Sequence, residues 1–542
     1  MAILLETRTK IGCAMFAGDI LGINVVRPWE FNSTFPLRSI LPIYLGTAIP
    51  LLVLKSFSAV CGYTISWYAV TVAVRLMMTF LSLVADYAAM QLAQWSRQPG
   101  TYSSAVIVAT SYLSLVFYTR TFSNTMESFL FAALLCVVTR KALQPASHIP
   151  CTFVISMLIV VGIFNRPTFI FYAVVPYLWW LFSDGTHNAV AKAVNSMLTA
   201  LSVCILLVVF DSTYFGRLDI GNLSVADLAD LASFLSCNLT ATPLNFVLYN
   251  VQSGNLAEHG LHPRVTHVAV NMPLLFNVLC VSFYYDAYWW LFVATGSRTQ
   301  KLVSMYHRAV MLVILCVVPM ILLSLFPHQE PRFLIPLLPV LAALYAASVA
   351  RNCVVMAPLW VVANLVGCLF YGCIHQAGVL PCLGYLQQTR LTTVDRHVFF
   401  WHTYTAPRHP LLQPKDSVST TVTSLEGKPV EDLIHSLKLV GGAEFRTPLE
   451  KPEVMVAASS SEHHFLVGKA ADAGVRLDVC QSFWPHLSME YPPTVDSIMC
   501  YAASDRDHAT KVDSDGDGFC NKTLVERIVL LTSLNLYRVT FL

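Results

Sequence analysis

Residues 326–344 read FPHQEPRFLIPLLPVLAAL: His328, Glu330 and Arg332 alternate with Gln329 and Pro331 at the head of a run that is otherwise apolar. About 20 such residues wound as a helix cross a hydrocarbon core of about 30 Å. A charge held at that depth costs roughly 2.5–3.5 kcal/mol on insertion scales. The triplet is therefore expected at the mouth of a span, with Pro331 opening the helix where its missing N–H does least harm.

The rest of the chain has the same character. Its 542 residues are 56% hydrophobic and 12% charged, with mean hydropathy +0.60. Ordinary soluble domains are about one-quarter charged, so the chain reads as an all-α polytopic membrane protein. A window of about 19 residues places spans near 39–61, 66–94, 101–118, 124–139, 151–166, 168–184, 193–211, 273–294, 308–326, 331–350 and 353–375. The expected fold is a helical bundle of about ten spans, residues 62–94 being one long tilted helix or a re-entrant pair. Residues 1–15 form an atypical N-terminus with no secretory-type leader. A multi-span core runs over 16–375 with a polar insert near 212–272, and residues 376–542 form a small mixed α/β tail with strand-like pieces such as HHFLVGKA. A net charge of +2 supplies no basic field for nucleic acid, so the expected partners are lipids or lipid-linked molecules.

Short basic connections at Arg140 and Lys141, Lys192, Arg298 and Lys301, and Arg351 are expected in the cytoplasm. Alternation then puts the insert, residues 326–332 and the tail on the lumenal side. The glycosylation sequons at Asn222, Asn238 and Asn521 fall in those lumenal segments. YTRTFSNTMES (118–128) and NRPT (165–168) face the same side, which gathers Arg120, Asn124, Glu127 and Arg166 with the His328, Glu330 and Arg332 triplet. On a helix Arg120, Asn124 and Glu127 would share one face. Two readings stand: interfacial anchors and internal ion pairs, which also covers mid-span Arg75 and Asp86, or a lumenal polar cavity in which arginine forks receive a phosphate.

Other signals have plainer readings. DSDGDGF (513–519) begins like a calcium loop, but its twelfth position is Leu524 where a bidentate Glu is needed. DRD (505–507) reads as a solvated loop. His259, His262 and His267 lack the spacing of a zinc helix; they are acceptor-facing or structural, and no metal is expected. Cysteines inside spans are packing residues, whereas Cys237, Cys382, Cys480, Cys500 and Cys520 lie where an oxidising compartment would allow pairing.

HQEPRFLIPLLP, together with YTRTFSNTMES, FNRPTF, FDSTYF (210–215), TPLNFVLYN (242–250), NLAEHGLHPRVTHVAVN (255–271) and HTYTAPRH (402–409), resembles the dolichol-phosphate-mannose-dependent mannosyltransferases of the endoplasmic reticulum, a GT-C group. The resemblance runs from about 17 to 410, and Gln329 and Pro331 point to the branch that adds the fourth mannose of the GPI anchor. It implies a GT-C-like bundle in the endoplasmic reticulum membrane with a lumenal active face, and inverting α-1,2 transfer from dolichol-phosphate-mannose as co-substrate, without a further cofactor, to a GPI glycolipid. It implies donor-phosphate or orienting roles for His328, Glu330, Arg332, Arg120, Asn124, Glu127 and Arg166, and acceptor-facing roles for Trp29, Glu30, His259, His262 and His267. Protein partners are not implied. The family's first span and its His-Pro-Asp-Glu loop, which carries the base aspartate, have no counterpart before AGDILGINVVRPWEF, where MAILLETRTKIGC stands instead. The catalytic residue is accordingly unassigned, and Asp19, downstream of that position, does not inherit the role. The expectation is an active transferase or a shortened relative that binds GPI precursor or assembly partners. A sibling specificity, for the third GPI mannose or the N-glycan precursor, is the nearest alternative. A transporter reading finds no matched half-repeats.

Overall fold

The structure is a computed structural model that describes residues 11–25, 27–98, 100–144, 151–219, 238–251, 261–289, 297–389, 394–415, 419–441, 452–493 and 524–542. Two compact units arise: Met1–Val26, Val53–Thr71 and Gly367–Leu542 in one, Arg27–Leu52 and Val72–Val366 in the other.

Seven described helices are long and apolar enough to cross a membrane: Leu41–Cys61, Trp67–Ser96, Thr186–Tyr214, His267–Tyr288, His307–Ser324, Pro331–Arg351 and Met356–Ile374. Residues 67–96 form one continuous helix rather than a re-entrant pair. The expectation of about ten spans is met only in part, because Thr101–Thr110, Cys151–Asn165 and Phe169–Phe182 are apolar but shorter. Ser123–Leu143 is long, yet Ser123, Asn124, Thr125, Glu127 and Ser128 fill its first two turns, all of them buried. That helix packs against Cys151–Asn165, Phe169–Phe182 and the 3-10 turn Pro331–Leu337, which is how polar side chains come to lie inside the helical unit. The opposite pattern marks Thr186–Tyr214, where Val190, Val194, Met197, Leu201 and Ile205 form an exposed apolar stripe at helical spacing, suited to lipid. Arg75 and Asp86 lie three turns apart on Trp67–Ser96, about 16 Å along the axis, so they do not pair with each other.

The tail folds around a five-stranded sheet. Strands β1 (Arg396–Trp401), β2 (Thr420–Glu426), β3 (Glu453–Ser459), β4 (Val475–Phe483) and β5 (Leu534–Phe541) are ordered β2-β1-β3-β5-β4. β1 runs parallel to β2 and β3, and β5 antiparallel to β3 and β4. Alternation along the strands feeds two cores. Phe399, Trp401, Val454 and Val456 meet Leu433, Leu437, Leu466 and Ala470 from the helices Val430–Gly441 and His463–Asp472. Val398, Phe400, Met455 and Ala457 meet Val379, Leu383 and Leu386 of Val379–Gln388. HHFLVGKA, expected as strand-like, is therefore helical: Leu466 and Ala470, one turn apart, are its buried positions, a spacing that suits a helix lying on the sheet and not a strand within it. Upstream, Ile11–Leu21 leads to Ile23, which bridges Pro414, and Asn24 N–H donates to the Gln413 carbonyl at 2.6 Å. Cys382, which is buried, and Cys480, which is exposed, are free thiols; Cys237, Cys500 and Cys520 lie outside the described residues.

Candidate functional site

The Asn165-Arg166-Pro167-Thr168 turn supplies the central cation. A residue preceding proline is disfavoured in the α region, and the helix Cys151–Asn165 stops there before Phe169–Phe182 begins. The turn is closed by Arg166 N–H on the Gly162 carbonyl (2.8 Å) and Phe169 N–H on the Arg166 carbonyl (2.9 Å). Only glycine fits at 162, since a Cβ there would lie 2.1 Å from the Phe169 ring. Arg166, at the apex and 4% exposed, donates from Nη1 to Asn124 Oδ1 at 2.9 Å and from Nε to Thr168 Oγ1 at 3.3 Å. Its Nε lies 3.5 Å from Glu127 Oε2, and its guanidinium sits 4.8 Å from the Phe333 ring centre. Glu127 also accepts from the Thr168 hydroxyl (3.0 Å) and from Asn124 Nδ2 (3.4 Å).

The triplet forms the second charged group. Glu330 is the extended residue before the Pro331–Leu337 turn, so Pro331 does open the next helical segment. Its carboxylate bridges His328 Nε2, at 3.2 Å, and the Arg332 guanidinium. Burial pushes the Glu330 carboxyl up, but Arg332, the His328 hydrogen bond and Arg166 together hold it well below the usual carboxylate range. In the third group Glu30, expected to face the acceptor, meets an arginine that was not foreseen: Arg38 donates from Nη2 to Glu30 Oε1 at 3.0 Å, with Nε 2.9 Å from Oε2 and Nη1 3.5 Å from the Asn165 carbonyl. Burial raises the Glu30 carboxyl too, and Arg38, then Arg332 and Arg166, draw it below its ordinary value. Arg38, Arg166 and Arg332 thus share one electrostatic neighbourhood with Glu30, Glu127 and Glu330. Three cations face three anions, the pairing that buried charges require.

The other expected residues are placed as follows. Arg120 precedes the helix, which starts at Ser123 after extended Phe122, so it does not share a helical face with Asn124 and Glu127. Trp29 is 44% exposed, with its ring 5.1 Å from that of Tyr249. His262 lies beside His328, ring centres 6.2 Å apart. His267 is buried, with Nδ1 3.0 Å from Asn271 Nδ2. Asn238 is half-buried; His259, Asn222, Asn521, the 513–519 loop and DRD lie outside the described residues. Among the described residues no group of three or more His, Cys, Asp and Glu side chains is placed to hold a metal.

Residues 15–413 match the Alg9-like mannosyltransferase family. The chain belongs to that family. It is 33% identical to GPI alpha-1,2-mannosyltransferase 4 of Homo sapiens over 91% of this chain and 86% of that protein. It is 30% identical to GPI mannosyltransferase 4 of Emericella nidulans, over 88% of each. It is 27% identical to GPI mannosyltransferase 4 of Drosophila melanogaster, over 88% of this chain and 82% of that one. The fold is shared with the crystal structure of ArnT from Cupriavidus metallidurans bound to undecaprenyl phosphate: TM-score 0.51, 10% identity, 88% of this chain and 91% of that one.

For this mannosyltransferase two further blocks gain a physical account. Asp211, in FDSTYF, accepts from the Ser39 hydroxyl (3.0 Å), the Ile40 N–H (3.1 Å) and the Thr242 hydroxyl (3.0 Å). It therefore anchors the start of Leu41–Cys61 to the start of Thr242–Val251, with Ser212 Oγ accepting Thr240 N–H at 2.8 Å beside it. Asn245, in TPLNFVLYN, donates to the Pro36 carbonyl at 2.9 Å, holding the Arg38 segment. The only sequence signal for Arg38 was its place one residue before a span; Asp211 had two, an acid at the end of a span and its place in the FDSTYF block.

Proposed function

We propose that this mannosyltransferase transfers an α-1,2-linked fourth mannose from dolichol-phosphate-mannose to the third mannose of a GPI precursor, working at the lumenal face of the endoplasmic reticulum membrane. The observation that carries the reading is the convergence of Arg38, Arg166 and Arg332, each paired to a glutamate, inside a chain whose relatives are named GPI mannosyltransferase 4. Planar guanidinium forks suit the phosphodiester that joins mannose to dolichol and the monoester it leaves behind. As the anomeric C–O bond to phosphate breaks, the singly charged phosphodiester becomes dolichyl phosphate with a second negative charge, and fixed cations favour that state over the monoanionic ground state. The acceptor 2-hydroxyl forms the new C–O bond on the opposite face of the ring as the bond to phosphate breaks, its proton passing to lumenal water, so configuration inverts.

Glu330 suits orientation rather than proton abstraction. A carboxylate held strongly acidic by Arg332 and His328 is a weak base, and it fixes the direction of both neighbours. A lipid-monophosphate donor needs no diphosphate-bridging metal, and the reading includes none.

The test is mannose transfer by the full chain in membranes from cells lacking the fourth-mannose activity, supplied with labelled dolichol-phosphate-mannose and a three-mannose GPI precursor. The expected product carries one added mannose that an α-1,2-specific mannosidase removes. Transfer to a two-mannose precursor instead, or no transfer from the lipid donor, overturns the reading.

A further inference from the structure

Gln329 is completely buried, and its carboxamide joins two separate segments. Its Nε2 donates to the carbonyls of Arg264 (3.1 Å), Ser324 (3.1 Å) and Phe326 (3.2 Å), while Oε1 accepts the His267 N–H at 2.9 Å. The backbone completes the clasp: His262 N–H donates to the Pro327 carbonyl at 2.8 Å, and Gln329 N–H donates to His262 Nδ1 at 3.4 Å. Residues 261–267 are thereby tied to the end of the helix His307–Ser324 and to the charged triplet that follows it.

The clasp also sets the chemistry of one ring. Because Nδ1 of His262 accepts a hydrogen bond from the Gln329 N–H, the ring's own proton belongs on Nε2. Burial and the neighbouring His328 lower the His262 pKa, which keeps the ring uncharged near neutrality. A neutral N–H donor suits a sugar hydroxyl, whereas the phosphate already faces three guanidiniums. His262 also belongs to a segment ahead of the span His267–Tyr288, outside the apolar helices that suit a lipid chain.

We propose that Gln329 is a positioning residue that seats the 261–267 segment against the triplet, and that His262, so seated, donates its Nε2–H to a hydroxyl oxygen of the acceptor glycan. This deepens the transferase reading above and rests on it.

The experiment varies each substrate in turn with the full chain and its His262→Ala, Gln329→Asn and doubly substituted forms. His262→Ala is expected to raise the acceptor KM about five- to tenfold, the size of one neutral hydrogen bond, with donor KM unchanged. His262→Gln, which keeps an N–H donor, should recover most of that loss. Gln329→Asn should reproduce the acceptor effect, and the double variant should be no worse than the worse single one, because both act through one contact. Multiplying losses in the double variant, a shift in donor KM instead, or a fall in kcat alone with both KM values intact would each overturn the proposal. If the unaltered chain transfers nothing, the function reading fails by itself. Binding of the three-mannose precursor to detergent-purified chain, with and without His262→Ala, then decides the clasp: equal affinity sinks it and weaker binding by the variant supports it.

Discussion

Glu330 shows how one carboxylate can organise two neighbours, the His328 ring and the Arg332 guanidinium. Its side chain is 6% exposed and that of Arg332 10%, so removing the anion strands a buried charge. Breaking such a pair costs about 3 kcal/mol or more, and Glu330→Ala should lower the thermal stability of the detergent-solubilised protein by that order. The pH dependence follows from the sign of the shift. A carboxyl whose folded pKa is depressed contributes stability that is fully present above its unfolded value and is lost only as pH falls through the folded one. With Glu330 held well below the usual range, the stability gap between the unaltered chain and Glu330→Ala should not shrink between about pH 7 and 5. A gap that closes there would contradict the assignment. Arg38 shows the limit of reading at this scale. An arginine one residue before a span looks like any interfacial anchor, and only the fold brings it against Glu30.

Elements present these residues through contacts that sequence period does not encode. Span positions were legible because hydropathy integrates over some twenty residues, and Pro331 was legible because its missing N–H restricts where it can stand. The single continuous helix at 67–96 stayed open against a re-entrant pair, and the buried polar start of Ser123–Leu143 against interfacial anchors, since both depend on what packs alongside. Gly162 illustrates the point. In an exposed helix, alanine for glycine gains about 1 kcal/mol in propensity, but here the new methyl meets the fully buried Phe169 ring. Overpacking of this kind costs roughly 1–3 kcal/mol. Gly162→Ala should therefore lower the melting temperature and, by moving the Arg166 turn, reduce mannose transfer; a variant that is more stable and fully active would refute that account. Asp211 offers a sharper contrast. An asparagine there can keep Oδ1 on Ser39 and Ile40 and turn its NH₂ to the Thr242 hydroxyl, which can accept. Asp211→Asn should stay within about 1 kcal/mol of the unaltered chain, whereas Asp211→Ala, leaving the buried Ile40 N–H bare, should lose about 2–3 kcal/mol, read as the shift in thermal midpoint of each variant.

At the scale of the molecule, the multi-span class follows from composition alone, because so low a charged fraction leaves water no role as the sole solvent. The sheet of the tail was only partly legible: pairing between residues as distant as Val456 and Tyr537 has no local signature. β5 lies between β3 and β4, so ending the chain after Leu531 removes an interior strand and leaves β4 without its partner. Limited proteolysis should then cut within Val475–Phe483, which β5 pairs in the full chain; an unchanged digestion pattern would show that β5 is dispensable. The same arrangement has a consequence for synthesis. The first three strands can meet as soon as Glu453–Ser459 has emerged, but β4 must wait with one edge open until residues 534–541 leave the ribosome. An unpaired edge is a template for wrong partners, so a ribosome stalled between 483 and 534 exposes the tail at its stickiest. Translation pauses or early stops in that interval should make the chain dependent on holding chaperones even when every span is already in the bilayer.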